Sequence, residues 1–198
     1  METICKIILL RLRHYVIRIL RPFSVYSGRM CYPPHERMIR ASMIKEMSLL
    51  VTDGVVVVAY SRGELTNHFI EGQFKHAAMY IGEGKIIQAI GKGVTTQDFE
   101  DFCASKDRIA ILRPNFCGDG TCKMAAMNAK SQLGKPFDYY FEIGSQAFYC
   151  AELISWSYRY ATLGGSPFIK KDVMGCDTVL PSDFYYAKSK FSLVIERP

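Results

Sequence analysis

The run from Lys75 to Ile90 constrains this chain more than any other segment. Lys75-His76-Ala77-Ala78-Met79-Tyr80-Ile81-Gly82 reads as one strand, and Glu83-Gly84 as a tight turn. Lys85-Ile86-Ile87-Gln88-Ala89-Ile90 reads as the returning strand. Short apolar runs joined by such a turn form a β-hairpin, so part of the fold must be an antiparallel sheet. His76 opens the first strand, where a side chain still reaches a cleft at the sheet edge. Gln88 is the lone polar side chain of the second strand. Either it faces outward, as alternate strand positions do, or it turns back toward His76.

Elements on both sides complete the pattern. Glu36–Leu50 carries an apolar stripe of Met38, Ile39, Met43, Ile44, Met47 and Leu50 and predicts a helix. Thr52-Asp53-Gly54 is a turn before a buried strand at Val55–Tyr60, and the polar loop Ser61–Lys75, with Asn67 and His68 near its middle, leads into His76. His68 reads as a solvent-exposed loop residue. After the hairpin come a short helix over Thr96–Ala104, a strand at Ile109–Arg113 and a helix at Cys122–Leu133. A second helix begins at Cys150, a loop covers 164–182, and a strand at Phe191–Ile195 closes the chain. Strands cluster in the middle with helices before and after. That pattern is α+β, an antiparallel sheet with helices packed against it.

The helix at Cys150 is where chemistry enters. Gly144-Ser145-Gln146 is turn-like, and Leu153, Ile154, Ser157, Tyr158 and Ala161 then recur at roughly helical spacing until Gly164-Gly165 ends the run. A thiol on the first turn of a helix feels the positive end of the backbone dipole and unpaired N–H groups, which favours the thiolate. The same N–H groups can hold an oxyanion. A buried free cysteine also serves simply as a small hydrophobe. A histidine within hydrogen-bond reach would make the thiol a nucleophile, and His76 is the candidate base, with a third group to hold its ring.

The ordered set of motifs resembles the permuted NlpC/P60-like (papain-like) cysteine hydrolases. Within them it looks most like the YiiX/YaeF group, related to the lecithin:retinol acyltransferase proteins. The carrying residues are His76-Ala77-Ala78-Met79-Tyr80-Ile81-Gly82, Ile86-Ile87-Gln88-Ala89, Gly134-Lys135-Pro136-Phe137-Asp138-Tyr139, Phe148-Tyr149-Cys150-Ala151-Glu152-Leu153 and Val179-Leu180-Pro181-Ser182-Asp183-Phe184. They span roughly residues 50 to 198. The resemblance implies Cys150 as nucleophile, His76 as base and Gln88 as orienting group. Tyr139 and Tyr149 are the expected oxyanion or substrate contacts. Two positions depart from the family pattern. An acidic residue or histidine is commoner at the position of Gln88, and a tyrosine at that of Phe137. Glutamine can accept from the ring N–H but brings no charge to stabilise an imidazolium.

The first segment stands apart. On a helix at about 100° per residue, Ile4, Ile8, Leu9, Leu12, Tyr15, Val16, Ile19 and Leu20 share a broad face. Lys6, Arg11, Arg13, His14, Arg18 and Arg21 gather on the other, and Pro22 ends the run. The interspersed basic residues exclude a hydrocarbon-spanning helix and a signal-peptide core. A membrane-surface helix, a helix docked on the domain's own core and a helix pairing with a partner remain open. Three parts are therefore expected: a basic amphipathic helix at 1–22, a linker and helix at 23–48, and a hydrolase domain at 49–198.

The net charge of +6 lies largely in the first forty or so residues, and no nucleic-acid-reading motif accompanies it. Seven cysteines at irregular spacing argue against a secreted disulfide framework and for a reducing, cytoplasmic setting, with peripheral membrane attachment if the front helix binds lipid. Cys117-Gly118-Asp119-Gly120-Thr121-Cys122 has zinc-like spacing but lacks a second ligand pair, so it reads as a Gly-rich loop with two reduced thiols and no metal. No cofactor is called for. Three functions follow: a thiol hydrolase or acyltransferase on amide or ester bonds of small acyl, lipid or peptide substrates, peptidoglycan peptides included; a binding module that kept the fold and lost turnover; or a scaffold whose working part is the front helix. The joint Cys, His and third-group pattern favours the enzyme. Oligomeric state is left open.

Overall fold

A computed structural model describes residues 35–64, 67, 70–118, 120–140, 146–162, 171–173 and 176–198, with backbone only at 171–173 and 176–177. The expected front helix at 1–22, His68 and the Gly144-Ser145 turn lie outside the described residues. The helices are α1 (Ala41–Ser48), α2 (Phe99–Ala104), α3 (Thr121–Lys130), α4 (Cys150–Ala161) and α5 (Pro181–Tyr186). The strands are β1 (Val56–Tyr60), β2 (His76–Tyr80), β3 (Lys85–Ile90), β4 (Gly93–Asp98), β5 (Arg108–Pro114), β6 (Lys171–Val173), β7 (Cys176–Thr178) and β8 (Phe191–Arg197). Six of them form one antiparallel sheet in the order β4-β3-β2-β1-β5-β8, and β6 and β7 pair separately. The α+β reading holds.

The β2–β3 hairpin forms where the sequence places it. Glu83 (φ 55°) and Gly84 (φ 68°) are both left-handed, the geometry of a type I′ turn, closed by Lys85 N–H on the Gly82 carbonyl at 3.0 Å. Strand alternation then sorts the apolar residues into two cores. Val56, Val58, Ala77, Met79, Ile87 and Ala89 face α3, α4 and α5. Val55, Val57, Ala59, Ala78 and Ile86 face α1 and α2. Ile39, Ile44 and Met47 pack into the second core, so residues 35–48 share the domain's interior; complete burial of a side chain such as Met47 stabilises by about 1.5–3 kcal/mol. Asp107 fixes the start of this segment. Its buried carboxylate accepts from His35 Nε2 (2.9 Å), Arg37 Nη1 (2.7 Å) and Arg62 N–H (2.6 Å).

Four sequence expectations are corrected. The helix expected over Glu36–Leu50 spans only Ala41–Ser48, and Met38 and Leu50 are exposed. The helix expected from Thr96 starts at Phe99, because Gly93–Asp98 is a strand pairing along the whole length of β3. The loop expected over 164–182 contains the β6–β7 pair and the start of α5. Cys117 and Cys122, expected as reduced thiols, are joined in a disulfide, with Cα atoms 5.6 Å apart.

Candidate active site

Cys150 is the first residue of α4, and Tyr149 before it is extended, so the chain turns into the helix at the thiol. Helix α4 packs its Leu153–Ile154 side on β2 and β3, which brings its N-terminus to the His76 end of the sheet. There the β2–β3 ladder is short. Its register covers only Met79↔Ile87 and Tyr80↔Ile86, so the two strands part below that point. Cys150 Sγ takes the backbone N–H of Ala77, the residue beside His76, together with the N–H groups of Ala151 and of Cys150 itself.

Gln88 turns to His76. The ring Nε2 lies 2.7 Å from Gln88 Oε1, and the Gln88 amide Nε2 donates to Gln97 Oε1 at 2.9 Å. Gln88 is 5% exposed, so this chain of polar groups is largely closed to water. The His76 ring also tilts against Phe102, centroids 6.0 Å apart, and the Lys106 ammonium lies 5.2 Å from the centre of the same phenyl ring. The Lys106 charge acts on both His76 and Cys150.

Electrostatics set the resting state. Burial drives His76 down to about 3, and Lys106 adds to the fall; the hydrogen bond to Gln88 opposes it only in part. Burial also pushes the Cys150 thiol up, against the three backbone N–H groups and Lys106, which pull it down. The expectation that the helix N-terminus leaves a thiolate is thus corrected. Desolvation outweighs dipole and hydrogen bonds at Cys150, and burial favours the neutral form at both Cys150 and His76.

The two tyrosines are held by hydrogen bonds to the backbone. Tyr149 is buried, its hydroxyl accepts the Val179 N–H at 3.1 Å, and its acidity is suppressed by burial. It anchors the chain between β7 and α5 to the start of α4. Tyr139 donates its hydroxyl proton to the Gly91 carbonyl at 3.0 Å. The Tyr139 phenol proton is committed to the Gly91 carbonyl, while Tyr149 lies close enough to Cys150 for the two to interact electrostatically.

Ser182, whose role the sequence did not disclose, braces the approach to His76. Its hydroxyl donates to the Phe74 carbonyl (3.0 Å) and accepts the Phe74 N–H (2.9 Å), two residues before the histidine. Gly72 (φ 88°) makes room, since a Cβ there would strike the Ser182 side chain. An open cleft of about 460 Å³, lined in part by Tyr60, Arg62, Gln73, Lys75 and Arg108, adjoins this segment without including Cys150 or His76.

Comparisons with known proteins bear on the family and the fold. A family model described as permuted papain-like amidase enzyme, YaeF/YiiX, C92 family, matches residues 50–192. No curated protein matches the chain. Among solved structures, a crystal structure titled as the metalloprotein yiiX from Escherichia coli O157:H7 superposes with a TM-score of 0.61 at 16% identity, over 75% of this chain and 98% of that one, a likeness of fold. Among the described residues, no group of three or more His, Cys, Asp or Glu is arranged to hold a metal ion. The match across residues 50–192, on a sheet and helices of the same fold, shows that this chain belongs to the permuted papain-like amidases of the YaeF/YiiX type, a family of thiol hydrolases.

Proposed function

We propose that Cys150 is the nucleophile, His76 its general base and Gln88 the group that orients the ring, in a hydrolase or acyltransferase acting on amide or ester bonds. One observation carries this reading: the sulfur accepts the N–H of the residue next to His76, while the His76 ring sits on Gln88. In the first step Sγ bonds to the acyl carbon as its proton passes to the imidazole. The carbonyl oxygen gains the negative charge and is held by N–H groups of the first turn of α4. When the tetrahedral species collapses, the bond to the amine or alcohol breaks and the imidazolium returns the proton to it. Water, or a second nucleophile in the acyltransferase case, then releases the acyl group by the reverse sequence.

A lipid or membrane-facing acyl substrate fits best with the basic amphipathic pattern of residues 4–21, which would hold the enzyme at an anionic surface. No described helix is long and apolar enough to cross a membrane. Hydrolysis of p-nitrophenyl acyl esters of graded chain length tests the reading. Cys150→Ala should abolish turnover, and long chains should be preferred over short ones. Turnover that persists in Cys150→Ala would end it. Deleting residues 1–22 should reduce flotation with anionic liposomes while leaving ester hydrolysis intact.

The resting electrostatics favour one rival, a binding module of the same fold with little turnover. A neutral thiol facing a weakly basic imidazole is a poor nucleophile until a substrate approaches. In that case an ester would bind without release of p-nitrophenol, and the wild type and Cys150→Ala would bind it equally.

A further inference from the structure

The catalytic reading leaves one contact without a purpose, the hydrogen bond from Gln88 to Gln97. We propose that Gln97 is a positioning residue, which holds the Gln88 amide with its oxygen toward His76 and so sets which ring nitrogen of His76 carries the proton. The inference rests on the assignment of Cys150 and His76 above.

A neutral imidazole has one N–H and one lone pair, on different nitrogens. At 2.7 Å from His76 Nε2, Gln88 Oε1 can only accept, so that contact puts the proton on Nε2 and leaves the lone pair on Nδ1 to receive the thiol proton. The reversed amide would present an NH₂ group to Nε2, force the proton onto Nδ1 and leave the base without a lone pair for the thiol. Gln88 has the same shape in both orientations, so an acceptor at its NH₂ end favours the one with its oxygen toward His76. The partner is Gln97 Oε1, which takes the Gln88 NH₂ at 2.9 Å.

The register explains how Gln97 reaches. Gln88 pairs with Thr95 and Ile86 with Gln97, so Gln97 is the diagonal neighbour of Gln88 on the same face of the sheet. That distance suits two long side chains and no short one. Gln97 lies on β4, the edge strand, and is half-buried, whereas Gln88 is enclosed. The polar chain therefore runs from the enclosed base outward, His76 to Gln88 to Gln97, with each N–H donated outward. Supporting groups of this kind, one shell out from the reacting atoms, fix tautomer and ring orientation in other sites.

Three substitutions at position 97 separate positioning from mere packing. Gln97→Glu can only accept, Gln97→Lys can only donate, and Gln97→Leu does neither. In the full chain, ¹⁵N-histidine spectra read the His76 tautomer, and iodoacetamide labelling with peptide mass spectrometry reads Cys150 reactivity at pH 7. The wild type and Gln97→Glu should show the Nε2–H form, with Cys150 labelled at comparable rates. Gln97→Leu should mix the tautomers and slow labelling about tenfold. Gln97→Lys should show the Nδ1–H form and slow it about as much as His76→Ala. A packing role would instead let all three follow their melting temperatures, with the tautomer unchanged. An Nε2–H signal in Gln97→Lys, with labelling within twofold of wild type, overturns the inference, and the Glu and Leu variants decide it should the Lys variant not fold. If wild-type Cys150 labels no faster than buried Cys103, the catalytic assignment fails, and the tautomer series still reports separately on Gln97.

Discussion

At Cys150 two opposed effects can be weighed directly. The helix N-terminus and three backbone N–H groups draw the thiol toward ionisation, and burial draws it back further. A neutral resting pair has a kinetic signature: iodoacetamide labelling of Cys150 should rise about tenfold per pH unit between pH 6 and 8. A preformed thiolate would give a plateau across that range. Lys106→Met removes a cation that favours the thiolate and should slow labelling at pH 7 by roughly three- to tenfold, a loss of about 1 kcal/mol. His76 carries the complementary effect into stability. Its folded value, about 3, lies below the unfolded 6.5, so the unfolded chain takes up the proton first as pH falls. The contribution of His76 is therefore complete above pH 6.5 and is lost as pH falls from there toward 3. Between pH 7 and 5 the wild type should lose about 2 kcal/mol more than His76→Gln in denaturant unfolding. Equal losses would show that the ring is protonated in the folded protein.

Residue identities at the site were legible because each broke its local pattern. Cys150 stood at a helix start, His76 opened a strand, and Gln88 interrupted an apolar run. The charge state of the pair was not legible, because it depends on burial supplied by α4 and α2 from distant parts of the chain. Gln97 and Ser182 were likewise hidden, since their partners are set by register and by a contact across 108 residues.

At the scale of elements, position is inherited from a few braces. Ser182 on α5 holds the backbone of Phe74, and Phe74 leads into β2 and His76. Ser182→Ala leaves a buried N–H and carbonyl without that partner and should destabilise by about 1–3 kcal/mol. Ester turnover at 25 °C should also fall several-fold, although the residue lies outside the reacting groups. Unchanged turnover in a folded variant would show that β2 is placed without α5. The elements missed by the sequence reading were those with weak local signals. Strand β4 carries Thr-Thr-Gln-Asp, which reads as polar until it is paired with β3. Helix α5 has six residues, too few to show a period, and begins at a proline. The β2–β3 hairpin, with its turn chemistry intact, was readable to within two residues.

For the whole molecule, the sheet divides labour between its faces. One face carries α4 and the thiol. The other carries α1 and α2, with Phe102 against the His76 ring. Cys150 and His76 lie at the same end of β2, where the N–H of Ala77, next to His76, reaches the Cys150 sulfur. Asp107 draws residues 35–37 onto this body. Burial, the largest single influence, pushes its carboxyl up, yet the Arg62 N–H, His35 and Arg37 together bring it below the ordinary value. Asp107→Ala should cost about 2–4 kcal/mol and expose the Arg37 and Arg40 peptide bonds to trypsin in limited proteolysis. Resistance equal to wild type would show that α1 docks without the clamp. The α+β class was legible from the order of elements alone. The inclusion of residues 35–48 in the core was not, because it depends on a carboxylate seventy residues away in sequence.

Mass spectrometry of the full chain after brief mixing with a p-nitrophenyl acyl ester bears most directly on the pairing of Cys150 with His76. The expected result is one acyl adduct, confined to the Cys150 peptide, absent in Cys150→Ala and at least a hundredfold slower to form in His76→Ala. An adduct on another cysteine, or one forming equally fast without His76, would contradict it.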